Sequence, residues 1–357
     1  MKKIILILLA LFITGCFDYV EINDLSFVSC IGIDFKEDSF KLTYEILNDT
    51  KKSSDGSSQE GYTITGSGKT LATAFDNISL KTTKIPYFYH LKAIVISEDV
   101  AKRHTKELIE FITRNPEIRN EFYLTIAKDV DASEIVKNSS KNNPIVGNQI
   151  TKLIESNVDY YNATFSKPFE DILEKFLNNK IDPIANVLTL SGTDLKAVGI
   201  GLFDDYRYVE TLEDEDSAYL NLLLNMPLNM NITKEYDGKL LAVNLYSGSV
   251  NYKFEDRKII VKVSAEGEIT ENLPEFDFRK EESYLKVSKD FSQKVTNDIQ
   301  ELINYFVNKN LDILGLENLY YKKYRKSNPN ILREYIIKVE ADVKINKKGL
   351  IFEVNYE

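Results

Sequence analysis

Tryptophan is absent from the 357-residue sequence, and only two histidines and two cysteines are present. His90 and His104 lie fourteen residues apart with no cysteine or metal-ligand motif beside them, so we expect neither a zinc centre nor a histidine-based catalytic triad. Cys16 and Cys30 are too few for a disulfide framework. Cys30 lies within an apolar run and is expected to be a small buried side chain.

An excess of positive charge is also lacking. Lysine and arginine (45) are outnumbered by aspartate and glutamate (55), which gives a net charge of −10. A surface of this sign repels phosphate groups, so no nucleic-acid partner is expected, and docking on anionic lipid through a basic patch is disfavoured. One long apolar run is present, residues 4–13, and it is too short to cross a bilayer, which takes about 20 residues.

The first sixteen residues have the organisation of a bacterial export signal. Lys2 and Lys3 precede the apolar run, and residues 13–16 (ITGC) place two small residues before Cys16. This is the lipobox pattern, in which a peptidase cleaves before the cysteine and its sulfur carries diacylglycerol. Two or more acyl chains, with palmitate among those expected, anchor a protein stably. The alternatives are a plain signal peptide in which Cys16 is incidental, and a short core helix.

The remaining chain alternates between strand-like and helix-like patterns. The predicted strands are residues 25–35, 40–47, 61–66, 91–97, 120–127, 194–204, 206–212, 240–254, 258–268, 333–345 and 350–356. The predicted helices are residues 70–78, 99–113, 213–224 and 288–308, together with a mostly helical region over 131–179 in which Ser166 is the expected N-cap of one helix.

These patterns predict an α+β (mixed α/β) fold with two or three sheet-and-helix domains. We expect a signal peptide at 1–15, an α/β region at 16–190 that has room for two subdomains, and an α+β domain at 191–357. The second region is predicted to be a mainly antiparallel sheet packed with one long helix, because residues 288–308 carry a continuous apolar stripe.

The predicted body contains no recognisable catalytic constellation. Residues 66–70 (GSGKT) lack the earlier glycine that a phosphate loop requires, since Thr63 stands in its place, and a strand-to-helix turn is the better interpretation. The acidic run at 210–216 is typical of a solvated helix start. No catalytic, cofactor-binding or metal-binding residue is predicted, although the abundance of carboxylates leaves a glycosidase-type pair open.

Three stretches resemble the Ger(x)C lipoproteins, the C subunits of nutrient germinant receptors in endospore-forming bacteria. The first comprises residues 15–18 (GCFD), 21–25 (EINDL) and 32–34 (GID), with Phe17 where tryptophan is usual. The second comprises G-x-G at 66–68, TL at 70–71, AF at 74–75, NI at 77–78 and HLK at 90–92, which leads into IVI at 94–96. The third comprises residues 199–203 (GIGLF), Leu212 and Glu215, with Gly201 where alanine is usual.

The resemblance implies a non-enzymatic protein tethered to the outer face of the spore inner membrane. It implies partners as well, namely two integral membrane subunits with which it triggers germination on nutrients. It also implies an elongated body of three α/β-type domains. Cys16, as the lipidation site, is the one residue with a defined chemical role that the resemblance carries over.

Two other functions stay open on the sequence alone. A substrate-binding lipoprotein of a transporter would have two similar lobes around a ligand cleft, and a surface hydrolase would have a buried carboxylate pair in a deep cleft. Three consecutive aromatic residues, Tyr87, Phe88 and Tyr89, cannot all point inward if they lie on a strand. We therefore expect some of them to form an exposed patch that docks on membrane partners.

Overall fold

The computed structural model describes residues 20–48, 61–139, 144–160, 162–178 and 180–347. The export signal, Cys16 and the last predicted strand at 350–356 lie outside the described residues. Within them, the strands are β1 Leu25–Lys36, β2 Ser39–Leu47, β3 Gly61–Gly68, β4 Ile85–Tyr87, β5 Ala93–Ser97, β6 Tyr123–Ala127, β7 Ile184–Ser191, β8 Asp194–Asp204, β9 Arg207–Glu213, β10 Met230–Tyr236, β11 Lys239–Glu255, β12 Lys258–Asn272 and β13 Ile336–Lys347.

The helices are mostly short and lie between these strands. They are α1 Leu71–Ser79, α2 Glu98–Arg103, α3 Thr105–Arg114, α4 Ala132–Lys137, α5 Val146–Tyr160, α6 Phe169–Leu177, α7 Asp214–Leu223, α8 Glu281–Lys309, α9 Leu316–Tyr324 and α10 Ile331–Glu334. The predicted helix at 99–113 is divided at His104, and the predicted long helix begins seven residues earlier than expected.

Strands β1 to β9 form one mixed sheet in the order β3-β2-β1-β5-β6-β7-β8-β9, and β4 pairs with the start of β1. The centre of this sheet is parallel, because β1, β4, β5, β6 and β7 all run in the same direction. The parallel strands are buried on both faces, as in α/β proteins. The predicted strands 194–204 and 206–212 correspond to β8 and β9, which join this first sheet, so the sheet runs on past residue 191 to Glu213.

The second sheet has the order β10-β11-β12-β13 and is antiparallel except for the β12–β13 pair. Helix α8 packs on it through a stripe of buried residues spaced three and four apart. These are Val287, Phe291, Val295, Ile299, Leu302, Ile303 and Phe306. The α+β class, the second antiparallel sheet and its long helix are therefore confirmed, with two sheets in the described part of the chain.

The glycines at 66 and 68 allow α1 to pack directly on β3. A Cβ at Gly66 would lie 2.5 Å from Ile78, and one at Gly68 would lie 2.5 Å from the backbone N of Ala74. Thr70 then forms a capping box with Thr73 at the start of the helix. The segment 66–70 is thus the strand-to-helix turn that the sequence indicated.

The prediction that Ser166 caps a helix is wrong. Helix α6 begins at Phe169, and the residue before it is Pro168, which provides no side-chain cap. Ser166 instead lies 2.9 Å from the hydroxyl of Tyr123. The extended segment before the helix is fixed by the Phe169 N–H, which donates to Phe122 O at 2.7 Å.

Candidate functional site

The parallel strands of the first sheet begin at a common edge, which we call the amino edge. It is formed by the four segments that lead into β1, β4, β5 and β6, namely residues 20–24, 80–84, 88–92 and 115–122. The described chain enters the fold here at Val20, four positions after Cys16. Any group attached to Cys16 is therefore held close to this edge.

An aromatic cluster lies at the amino edge. The Phe27 ring contacts Tyr87 edge-on, with ring centroids 5.5 Å apart, and Tyr87 stacks on Tyr89 at 4.8 Å. The Arg119 guanidinium lies 3.9 Å from the centre of the Tyr89 ring, a cation–π contact. His90 joins the cluster through Phe27 at 5.4 Å. Strands β1 and β4 and the segments 88–92 and 115–122 thus meet at this cluster.

The three consecutive aromatic residues point in different directions, as the sequence indicated. Phe88 is buried against Tyr44 and Phe75 in the core. Tyr87 is half-buried and Tyr89 is 44% exposed. The patch exists on the surface, and its role in docking a partner stays a prediction.

Aliphatic side chains extend this surface towards the chain entry. Ile22 is 71% exposed, Ile85 is 53% exposed and Val20 is 44% exposed. Ile85 pairs with Leu25 at the first residue of β1, and Ile22 precedes that residue by three positions. Large apolar side chains this exposed, and adjacent to aromatic rings, are typical of interaction surfaces.

Two buried carboxylates of the first sheet hold helices. Asp34 accepts the N–H groups of Ala132 and Ser133 at 2.8 and 3.0 Å, at the start of α4. Glu45 accepts those of Val146 and Gly147 at 2.6 and 2.9 Å, at the start of α5. Burial raises the pKa of both carboxyls, while these backbone donors act in the opposite direction.

These acids do not form a catalytic pair. The β1–β2 register sets Glu45 opposite Cys30 and Asp34 opposite Lys41, which separates the carboxylates by about four residues, or roughly 13 Å, along the strands. Cys30 is fully buried, as the sequence indicated, and burial together with the charge of Glu45 raises the pKa of its thiol. A raised pKa disfavours the thiolate that a nucleophile needs.

A second carboxylate pair, Asp182 and Asp312, joins the two halves of the molecule. Asp182 Oδ2 accepts the Asp312 N–H at 2.5 Å, and the Asp182 N–H donates back to Asp312 O at 3.1 Å. Asp312 in turn accepts the N–H groups of Leu316 and Glu317 at the start of α9. Burial raises the pKa of Asp312 to about 6.

The Asp182–Asp312 junction borders a cavity of about 520 Å³. Asp182 Oδ1 faces the Asp205 N–H at 3.4 Å, so each of the four carboxylate oxygens has a backbone donor. Groups bonded in this way hold two segments together. The surface-hydrolase alternative calls for a buried carboxylate pair in a deep cleft, and in this pair every carboxylate oxygen is engaged by a backbone N–H.

The acidic run at 210–216 forms one side of a groove against α8. Asp214, Glu215 and Asp216 occupy the first turn of α7, where the helix dipole favours acids. Lys294 of α8 supplies the opposing charge, 3.2 Å from Glu215 and 2.7 Å from Asp298. Only residues 214–216 form the helix start that the sequence indicated, joined by an ion-pair network to the long helix, and residues 210–213 are the end of β9.

Sequence reasoning missed a buried asparagine network between the two halves. Asn221 of α7 donates to the carbonyls of Asn162 and Thr164, at 3.0 and 2.8 Å. Asn162 donates to Pro227 O at 2.7 Å and accepts the Asn229 N–H just before β10. All these asparagines looked like ordinary polar residues in the sequence. Their burial depends on tertiary contacts that no local pattern encodes.

In the ranges that the structure describes, no group of three or more histidine, cysteine, aspartate or glutamate side chains is arranged so that it could hold a metal ion. None of the described helices is long and apolar enough to cross a membrane.

Comparison with known proteins identifies the family. Residues 18–190 match the family described as spore germination protein N-terminal domain, and residues 198–349 match the one described as spore germination B3/GerAC like, C-terminal. Spore germination protein KC of Bacillus subtilis (strain 168) is 24% identical, over 97% of this chain and 95% of its own length. Spore germination protein GerQC of Bacillus cereus is 23% identical, over 98% and 99%.

A solved structure has the same fold. The crystal structure of the GerBC protein matches 88% of this chain and 96% of its own length, with a TM-score of 0.55 and 17% identity. The two family matches together cover nearly the whole chain, and the boundary between them falls between residues 190 and 198. The protein belongs to the GerAC family of spore germination proteins.

Proposed function

We propose that the protein is the membrane-anchored lipoprotein subunit of a nutrient germinant receptor. It would be held by lipid on Cys16 at the outer face of the spore inner membrane and would assemble there with integral membrane subunits. Family membership across both halves of the chain is the observation that carries this proposal. Its role in this proposal is structural and does not involve catalysis.

The architecture supports the proposal in two ways. The first strand of the first sheet begins nine positions after the lipobox cysteine, at the amino edge with its exposed aromatic and aliphatic side chains. The buried carboxylates described above cap helices or join the two halves, as Asp34, Glu45 and Asp312 do. These features suit a rigid adaptor between a membrane and its protein partners.

The transporter alternative lacks support. A substrate-binding lipoprotein would have two similar lobes, whereas the described chain has a nine-stranded mixed sheet and a four-stranded mainly antiparallel sheet. The two units differ in size, in strand direction and in helix content. Neither resembles a repeat of the other.

Germination of spores carrying altered copies of the gene tests the proposal. We expect that deletion slows the loss of refractility on the responsive nutrient, and that the wild-type gene restores it. Cys16→Ala should restore little, because the protein leaves the membrane. Cys30→Ala is the matched control, since it removes the other, buried cysteine and should restore germination. Equal germination with Cys16→Ala and wild type would contradict the anchor.

A further inference from the structure

We propose that the amino edge of the first sheet lies against the lipid bilayer, with Tyr89, Ile22 and Ile85 in its headgroup region. This inference rests on the proposed lipid anchor and adds a second, non-covalent contact with the membrane. The partner is the bilayer surface itself. A protein subunit covering the same patch is an outcome that the test below separates.

Chain length is the first argument. Val20 follows Cys16 by four positions, and an extended chain spans at most about 3.5 Å per position, or roughly 14 Å. The acyl chains of an anchored cysteine begin at the boundary between headgroups and hydrocarbon, and each headgroup layer is roughly 5–8 Å thick. An anchor on Cys16 therefore keeps the amino edge within reach of the bilayer surface.

The direction of the strands is the second argument. Twelve residues of β1 lead away from the amino edge, at about 3.3 Å per residue, so the opposite edge lies roughly 35–40 Å further along the strand. The β1–β2 turn at Glu37 and Asp38 lies at that far edge. One edge of the sheet is thus tethered close to the membrane, and the other is not.

The exposed side chains of the amino edge are of the kind found at membrane interfaces. Tyrosine is enriched at membrane interfaces, because its ring prefers the apolar side and its hydroxyl the wet side. Tyr89 is exposed and stacked on Tyr87 of β4, and the same strand begins at the exposed Ile85, which pairs with the start of β1 three positions after the exposed Ile22. The rings need no induced rearrangement to meet a headgroup layer.

The two edges also differ in their content of charged residues. The four segments of the amino edge hold four cations and four acids, namely Lys81, Lys84, Lys92 and Arg119 against Glu21, Asp24, Glu117 and Glu121. The turns at the opposite edge, residues 36–39, 68–70, 97–99 and 128–131, hold three cations and six acids. In a chain of net charge −10, these four segments are neutral in sum, so an anionic membrane surface repels them less than it repels the turns of the opposite edge.

The absence of tryptophan makes the test direct. Tyr89→Trp introduces one tryptophan that keeps a ring against Arg119, and Phe35→Trp introduces one near the far end of β1. The full-length lipoprotein carrying either change is reconstituted into vesicles of phosphatidylglycerol and phosphatidylethanolamine. We expect the emission of the Tyr89→Trp protein to shift to the blue on vesicles and to lose most of its intensity on brominated lipids. The emission of the Phe35→Trp protein should change in neither respect.

Two further samples complete the test. Ile22→Ser with Ile85→Ser in the Tyr89→Trp protein should reduce the quenching, whereas Leu285→Ser, a change at a similarly exposed residue of α8, should not. The chain from residue 17 onwards, with a polyhistidine tag in place of Cys16 and held on nickel-chelating vesicles, reports the surface contact whether or not the cysteine is lipidated.

The outcomes distinguish the contact from the anchor. A full-length protein that does not float with vesicles, together with quenched emission from the tagged protein carrying Tyr89→Trp, overturns the lipid anchor and supports the surface. A Tyr89→Trp protein that floats with unchanged emission and quenching overturns the surface, and leaves the patch to a protein partner. Equal quenching of the Tyr89→Trp and Phe35→Trp proteins also overturns it, because the contact would then lack the proposed orientation.

Discussion

At the scale of single residues, the buried acids are the features with the clearest energetic consequences. Asp34 and Glu45 lie inside an apolar sheet, and each accepts two N–H groups at the start of a helix. The orphan donors of a helix terminus favour a negative group there. Each carboxylate therefore links the start of a helix to the strand that carries the acidic residue.

Asp34→Ala should destabilise the protein. It leaves the N–H groups of Ala132 and Ser133 without partners inside the fold, and an unmet buried donor costs roughly 1–3 kcal/mol. Urea unfolding followed by circular dichroism measures the loss. Asp76→Ala is the control, because Asp76 is exposed on α1 and its removal should change the free energy of unfolding by about 0.5 kcal/mol or less. Equal losses would show that Asp34 does not hold α4.

Asp312 should make stability depend on pH between about 4 and 6. Its pKa rises from 3.8 in the unfolded chain to about 6 in the folded one, so the folded state binds the proton more tightly. The stabilising contribution is complete below about pH 4 and is lost as the pH rises through 6. The expected loss is roughly 1–3 kcal/mol.

The comparison that isolates this effect is Asp312→Asn. The difference in unfolding free energy between the wild type and this variant should fall as the pH rises from 4 to 6.5, because only the wild type can release the Asp312 proton. Two parallel curves across this range would mean that Asp312 does not titrate with a raised pKa.

At the scale of elements, side chains of α8 accept hydrogen bonds from the backbone N–H groups on the outer edge of β13. The N–H groups of Ile345, Val343, Ala341 and Val339 donate in order to Ser288, Ser292, Thr296 and Gln300, at 3.1, 2.8, 3.2 and 3.0 Å. Helix residues four apart rise about 6 Å, and strand residues two apart rise about 6.6 Å. The two spacings match, so four polar side chains replace a neighbouring strand.

This ladder predicts a position-specific loss on α8. Ser292→Ala leaves the Val343 N–H without its partner and should cost roughly 1–3 kcal/mol of unfolding free energy. Gln293→Ala, on the exposed face of the same helix, should cost little. Chemical denaturation of the two variants measures the difference. Hydrogen exchange at Val343 should also accelerate in Ser292→Ala alone, and unchanged protection there would contradict the ladder.

The apolar stripe of α8 was predictable from its three- and four-residue spacing, and the polar stripe beside it was not. Ser288, Ser292, Thr296 and Gln300 look like solvated positions in the sequence. They accept hydrogen bonds only because the fold places the edge of β13 beside α8, and the local sequence does not encode that contact. The break at His104 was not predictable either, because the apolar spacing of α2 and α3 continues across it.

At the scale of the whole molecule, the class of fold and ten of the thirteen described strands followed from the sequence, because buried strands and amphipathic helices have distinct periods. Strands β4, β7 and β10 were not predicted. The assignment of strands to sheets did not follow. β8 and β9 come after the predicted boundary at 190, and yet they extend the first sheet to Glu213. The division of the chain into domains at 16–190 and 191–357 stays a proposal.

The surface at the amino edge was partly predictable. Three consecutive aromatics required that one or more face outward, and Tyr89 does so. The contribution of Ile22, Ile85 and Arg119 was not predictable, since these residues come from separate segments that only the parallel strand order brings together. The proposed anchor on Cys16 depends on local sequence alone, because an export signal is recognised as a linear motif.

Co-purification from dormant spore membranes tests whether the protein is a subunit of a membrane receptor. The tagged protein is extracted in mild detergent, and the proteins recovered with it are identified by mass spectrometry. We expect two multi-span membrane proteins with wild-type protein and none with Cys16→Ala, which should be missing from the membrane fraction. Recovery of a nucleotide-driven permease, or of wild-type protein without any membrane partner, would contradict the assignment as a germinant-receptor subunit.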